Sequence, residues 1–100
     1  MLNFLKRWAF NVVQKEIGEW GDKTFPYATP TTIIKHLQRE VKELADSHHS
    51  SEVADCTILL FQIAHRYKYS LYNELIDKMN INRDRKWGKP DADGVVEHID

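Results

Sequence analysis

Cysteine is nearly absent: Cys56 stands alone in 100 residues. That excludes an internal disulfide framework and an all-cysteine zinc site within one chain, and it fits a reducing compartment. No sign of charge dominates either, since fourteen lysines and arginines against fifteen acids give a net charge of −1. The broad positive field that favours nucleic acid or an anionic membrane is missing, so an anionic ligand needs a local basic patch or a metal. The stretch from Met1 to Trp20 carries Lys6, Arg7, Lys15, Glu16 and Glu19. It holds neither a signal h-region nor a membrane span, and the expected location is the cytoplasm, with no nucleic acid and no membrane as partner. There is no G-x-x-x-x-G-K phosphate loop. No glutamate is followed three residues later by histidine, the motif that a di-iron carboxylate bundle needs on two of its helices.

What is present is one globular domain over residues 1–100, with 42% hydrophobic and 29% charged residues. A chain of this size buries only roughly 60 to 65% of its unfolded surface, so association of subunits is expected. No stretch alternates long enough for a strand, and period and punctuation predict an all-α bundle of four helices. Their expected bounds are about 2–20, 30–46, 52–67 and 71–86. The first carries an apolar face of Leu2, Leu5, Ala9, Val12, Val13, Ile17 and Trp20, and breaks at Gly21. Thr29 as N-cap and Pro30 open the second, whose stripe is Ile33, Ile34, Leu37, Val41, Leu44 and Ala45. A polar connector, Ser47 to Ser51, makes the second and third helices antiparallel neighbours and leaves His48 and His49 in solvent. The third reads V-A-D-C-T-I-L-L-F-Q-I-A from Val53 to Ala64, apolar nearly all round, and belongs at the centre. Ser70 caps the fourth, and a polar tail over 87–100 turns at Asp93-Gly94.

Two pairs of acids at i,i+3 spacing, Glu40 with Glu43 and Glu52 with Asp55, stand on single helical faces. Spacing alone selects nothing, because Glu16/Glu19 and Glu74/Asp77 share it and read as solvated surface. Context does, for Asp55 is the one charge in the apolar run of the third helix, where a carboxylate needs compensation. Glu40 and Glu43 flank the apolar stripe of the second helix, and the short connector turns that flank toward the third. Four converging oxygen donors call for cations between them, Mg²⁺, Mn²⁺ or Ca²⁺ rather than zinc. The plainer reading pairs Asp55 with a cation such as Arg66. His36, four residues before Glu40, reads as a partner of the carboxylate or a surface residue rather than a ligand.

On the fourth helix Lys78, Asn82 and Arg85 fall within about 60° of one another and close to Leu71 and Leu75, on the expected inward side. Lysine, arginine and asparagine are donors suited to a phosphate chain; the plainer reading is an amphipathic helix end.

E-V-K-E at 40–43, E-V-A-D at 52–55 and K-M-N-I-N-R-D-R at 78–85 together resemble the motifs of MazG-like all-α nucleoside triphosphate pyrophosphohydrolases: E-x-x-E, E-x-x-D and K-x-x-x-N-x-x-R. The likeness covers about Thr29 to Ile99, and the tail D-G-V-V-E-H-I is similar to that of the short phage and bacterial branch associated with dATP/dGTP diphosphohydrolases. One departure is the gap of eight residues between Glu43 and Glu52, shorter than in many members. The resemblance implies a helical bundle assembled as a homodimer or homotetramer. It implies hydrolysis of a (d)NTP, a purine one by the branch, to the monophosphate and pyrophosphate with Mg²⁺ or Mn²⁺, in a host's cytoplasm if the gene is a phage's. Metals would sit on Glu40, Glu43, Glu52 and Asp55, with Glu40 or Glu43 as general base. Lys78, Asn82 and Arg85 would hold the outer phosphates, and Trp20, Phe25 and Tyr27 are candidates for stacking on the base. The rival reading is a non-catalytic helical interaction module with structural ion pairs. For assembly, Leu2, Phe4, Leu5, Trp8 and Phe10 spread too widely around the first helix for one face to bury, with Phe4 and Phe10 off the main stripe.

Overall fold

Residues 2–99 are described by a computed structural model, the side chain of Leu2 excepted. They form α1 (Leu2–Thr24), α2 (Pro30–Ser47), α3 (Ser50–Arg66) and α4 (Leu71–Asp84), with no named strand. Local chemistry sets the ends. Thr29 and Thr32 make a reciprocal cap at the start of α2, the Thr32 N–H donating to Thr29 Oγ1 at 3.2 Å and the Thr29 N–H to Thr32 Oγ1 at 2.9 Å. At its other end His48 adopts the left-handed conformation, φ 57°, and donates its N–H to Leu44 O at 2.8 Å. His49 then caps α3, its Nδ1 accepting the Ser51 N–H at 3.1 Å. The connector is therefore only His48-His49, shorter than the expected polar stretch, because both histidines act as caps. Ser70 caps α4 by accepting the Asn73 N–H at 3.2 Å.

Three further features differ from the sequence expectation. Gly21 does not break α1; its carbonyl accepts the Phe25 N–H at 2.8 Å and the helix continues to Thr24. The reason is packing, since a Cβ on Gly18 would lie 2.1 Å from the His65 ring and one on Gly21 2.9 Å from the Gln62 amide. The two glycines let α3 approach α1. Helix α4 stops at Asp84 rather than near Lys86, because Arg85 is extended and the Trp87 indole donates to the Asn82 carbonyl at 3.0 Å, satisfying a helix-end acceptor. Finally, the tail is not simply polar coil. It folds back through an isolated antiparallel bridge between Trp87 and His98, with Gly88 N–H to Glu97 O at 2.9 Å, around a turn where Gly94 takes φ +80°.

Helix α3 packs against α2 on one side and α1 on the other, while α4 packs on α1. Gln14 of α1 fastens the α3–α4 link, donating to Tyr69 O at 2.7 Å and accepting from the Leu71 N–H at 2.9 Å. The core is small: Ile33, Leu59, Phe61 and Ala64, with Gln14 and Gln62. Central as it is, α3 is not buried all round, and Val53 and Leu60 are exposed. No described residue of α4 is buried, so the side expected to face inward is only partly covered within one chain. Phe10 is half-buried against Phe61 and Tyr72, ring centroids 5.1 and 5.6 Å away, and so belongs to the intrachain packing rather than to a free face. Phe4, Leu5 and Trp8 remain exposed.

The chain exposes 7,900 Å², where a compact monomer of 11.8 kDa exposes about 5,900 Å². Its radius of gyration, 15.9 Å, exceeds the roughly 13 Å of a compact 100-residue domain.

Gly18→Ala is expected to lower the melting temperature by about 5 to 15 °C, because wedging α1 from His65 costs about 1 to 3 kcal/mol, more than alanine's helix preference returns. A thermal melt checks this, and a variant as stable as wild type would show that α1 and α3 are not in close contact there.

Candidate functional site

The two-residue connector turns α3 back along α2, and the last turns of one helix meet the first turns of the other. Carboxylate oxygens of Glu40, Glu52 and Asp55 lie within 4.8 Å of one another. Glu43 is exposed at the edge of this group, near enough to both Glu40 and Glu52 to raise their proton affinity.

The electrostatics are those of like charges held together. The Glu40 carboxyl is raised above the ordinary carboxylate value first by the close approach of the Glu43 side chain, then by burial and by the charges of Glu43 and Asp55; the bond from His36 opposes the rise. Burial comes first for Glu52, followed by the charges of Glu43 and Asp55, and His49 opposes. The groups that draw these carboxyls back down are histidines, not lysine or arginine. Arg66, the expected cation for Asp55, binds Asp22 instead, Nε to Oδ1 at 3.2 Å. Beside the cluster the Cys56 thiol is pushed up by burial and by the charges of Glu40, Asp55 and Glu52, so it stays protonated and unreactive.

Two oxygens, Glu40 Oε2 and Glu52 Oε2, are buried with no hydrogen-bond partner. A buried carboxylate oxygen without a partner is costly, and no hydrogen bond from the described residues offsets that cost. An all-oxygen donor set of this kind fits a hard divalent cation such as Mg²⁺ or Mn²⁺. His36 does not join the ligand atoms; its Nε2 lies 3.2 Å from Glu40 Oε1 and orients that carboxylate.

Beside the acids lies a cavity of about 140 Å³ whose walls include Trp20, Phe25, His36, Glu40, Asp55 and Gln62. A wider hollow of about 400 Å³ shares Phe25, His36 and Gln62 and adds Lys35 and Arg39 at its rim. Trp20 and Phe25 meet edge-on, centroids 5.6 Å apart at 87°. Tyr27, the third stacking candidate, is 94% exposed and lines neither space. Arg66 explains its position, because it donates to the carbonyls of Phe25 and Ala28 and leaves Tyr27 at the tip of the loop between.

Lys78 is exposed, Asn82 and Arg85 are half-buried, and none of the three lines these cavities. Within one chain the carboxylates and the aromatics come together, and the basic end of α4 stays apart, on the helix that packs on α1. Sequence reasoning passed over Gln62 and the clamp made by Arg66. Gln62 had one available signal: it stands seven residues after Asp55, on the same face of α3.

Glu40 and Glu52 bind protons more tightly folded than unfolded. Their contribution is greatest below the ordinary value of 4.5 and is lost as pH rises through the raised values. In chelator the melting temperature is expected to fall as pH rises through that window, Glu52→Gln to flatten the fall, and divalent cation to restore stability at neutral pH. Thermal melts across pH test this; an unchanged slope in Glu52→Gln would remove the repulsion argument.

Comparison with known proteins gives consistent results. A family model described as dATP/dGTP pyrophosphohydrolase matches residues 13–100. A dATP/dGTP diphosphohydrolase of Salmonella phage PMBT28 is 36% identical over 89 residues, 87% of this chain, which spans only 30% of that relative's length. One of Cyanophage S-2L is 33% identical over 90 residues, covering 87% of this chain and 85% of the relative. Among solved structures, the Cyanophage S-2L MazG-like pyrophosphohydrolase, bound to dGDP and three catalytic Mn²⁺ ions per active site, is similar at a TM-score of 0.79 and 30% identity, over 91% of this chain and 97% of that one.

Proposed function

The chain belongs to the dATP/dGTP pyrophosphohydrolase family, and from that premise we propose that it hydrolyses a purine deoxynucleoside triphosphate to the monophosphate and pyrophosphate. The observation that carries this reading is the pair of buried, unpartnered oxygens of Glu40 and Glu52, set beside a cavity walled by Trp20 and Phe25. Glu40, Glu43, Glu52 and Asp55 would hold the divalent ions. When bound, Mg²⁺ or Mn²⁺ supplies Lewis acidity and charge neutralisation at the α-phosphate.

The remaining steps fall to the chain's own residues. A water attacks the α-phosphorus, the bond to the β-phosphate oxygen breaks, and pyrophosphate leaves. Glu43 takes the water's proton: Glu40 is engaged by His36 through Oε1 and buried at Oε2, whereas Glu43 keeps solvent access. Trp20 and Phe25 receive the base. Lys78, Asn82 and Arg85 hold the β- and γ-phosphates. For that they need a second copy of the chain, which the uncovered surface of α4 and the exposed Phe4, Leu5 and Trp8 also call for. We read the assembly as a homodimer or homotetramer, with no nucleic-acid partner. The phage relatives and the free Cys56 support action in a host's cytoplasm; among the described residues no helix is long and apolar enough to cross a membrane.

A screen of the common NTPs and dNTPs with Mg²⁺ and Mn²⁺, detecting pyrophosphate, is expected to find divalent-dependent release that prefers dATP and dGTP. Asp55→Asn is expected to lower turnover by about a hundredfold or more while melting, without metal, at or above the wild-type temperature. Full activity in that variant would remove Asp55 from the metal site.

Light scattering at micromolar concentration is expected to give a multiple of 11.8 kDa, and Phe4→Ser with Trp8→Ser to reduce it. A monomeric wild type would overturn the assembly, and a multimer insensitive to both changes would overturn this interface.

A further inference from the structure

Gln62 is the most buried polar side chain described, 3% exposed, and its amide Nε2 has no hydrogen-bond partner. A buried donor left unpaired is rare in a folded protein, and it marks a place where something else supplies the acceptor. The surroundings say what that is. Asp55, Ile58, Leu59 and Gln62 are the α3 residues that wall the cavity, a single face by their spacing. At 1.5 Å rise per residue Gln62 stands ~10 Å along the helix from Asp55. The acids therefore mark one end of this face and the amide the other, and Trp20 and Phe25 line the same cavity from outside α3.

We propose that Gln62 reads the edge of the purine base. The inference rests on the nucleotide reading above and assigns the group that distinguishes one base from another. Aromatic rings take the face of a base without regard to its identity, and a hydrogen-bonding group must take the edge. An amide is suited to two different edges. It carries a donor and an acceptor side by side, and a half-turn about its last bond exchanges them. One orientation complements the amino group and ring nitrogen of adenine, and the other complements the carbonyl and ring N–H of guanine. An amide held by a neighbour would be fixed in one orientation and would choose one purine. The Nε2 of Gln62 is held by nothing, so both purines fit, and a pyrimidine anchored by the same sugar stops short of the edge. Gly21 leaves room for this amide, since a Cβ there would meet both the amide carbon and Nε2 at 2.9 Å.

The test combines a change in the base with a change in the residue. The nucleotides are dATP, dGTP and purine 2′-deoxyriboside triphosphate, which carries only hydrogen at position 6; the proteins are wild type and Gln62→Met, which keeps length and apolar packing. Pyrophosphate release with Mn²⁺ gives kcat/KM, and calorimetry with the matching monophosphates and no added metal gives Kd. In wild type the 6-substituent is expected to be worth about five- to tenfold by both measures. In Gln62→Met the three nucleotides become equivalent, dATP and dGTP falling together. Equal handling of the three by wild type overturns the proposal, and that comparison stands even if the variant does not fold. A variant that keeps the wild-type ratios, or that loses only one purine, also overturns it. If wild type releases no pyrophosphate from any triphosphate the hydrolytic reading falls, and the monophosphate binding ratios still decide Gln62.

Discussion

Glu40, Glu52 and Asp55 repel one another, and the rest of the structure is arranged to keep them together against that repulsion. The connection of α2 to α3 through two residues is what makes it possible. His48 can take a left-handed conformation and His49 can cap the following helix, so α2 reverses without a flexible loop that would let the acids separate. Each helix then supplies its acids at a spacing of three residues, and the antiparallel pairing aligns the two sets. A fold without a cation would relieve this strain by placing a lysine or arginine among the acids. Here no lysine or arginine among the described residues forms an ion pair with the acids, and the carboxyls respond by holding their protons more tightly.

Arg66 shows where one of those cations went. Bound by Asp22, it reaches the backbone carbonyls of Phe25 and Ala28 and so fixes the loop between α1 and α2. Asp22 is also bonded by His65, Nε2 to Oδ2 at 2.8 Å, on the ring that occupies the space left by Gly18. One connected set of contacts therefore joins the α1–α3 packing to the ring of Phe25, which stands edge-on to Trp20 on one side and to His36 on the other. His36 in turn orients Glu40. The aromatic wall and the acidic cluster are positioned by the same chain of side chains, and a change in how closely α1 lies on α3 reaches both.

The parts of this arrangement that were legible in the sequence are those that conflict with their surroundings. A carboxylate inside an apolar run is such a conflict, and it singled out Asp55 among many i,i+3 acids that spacing could not separate. Helix ends were legible where the capping residue is of a common type, as at Thr29 and Ser70, and misread where histidine caps a helix or where the chain runs through a glycine. Gly21 reads as a breaker in isolation; only the approach of Gln62 explains why a residue without a Cβ continues the helix there. Gln62 itself has no signature, because a lone amide among apolar residues looks like an ordinary tolerated polar position until its partners are counted. Tyr27 and Phe10 erred in the other direction. Their residue types suggested stacking and an interface, but the direction each ring takes depends on a distant contact, Arg66 with the loop and Phe61 with Phe10.

The openness of the single chain follows from the same economy of packing. A core of four apolar residues cannot close four helices around one another, and α4 is left resting on α1 with no buried residue of its own. If α4 did fold over the acids, its basic end would neutralise them with lysine and arginine, an outcome that the proposed binding of metal and triphosphate has to avoid. Keeping Lys78 and Arg85 off the carboxylates within the chain leaves the two sets of charge unmatched by each other; in the function proposed above, cations would match the acids and phosphate the bases. The uncovered surface of α4 and the unpaired charge of the α2–α3 cluster are two consequences of that one separation, and a second copy of the chain can cover the first without cancelling the second.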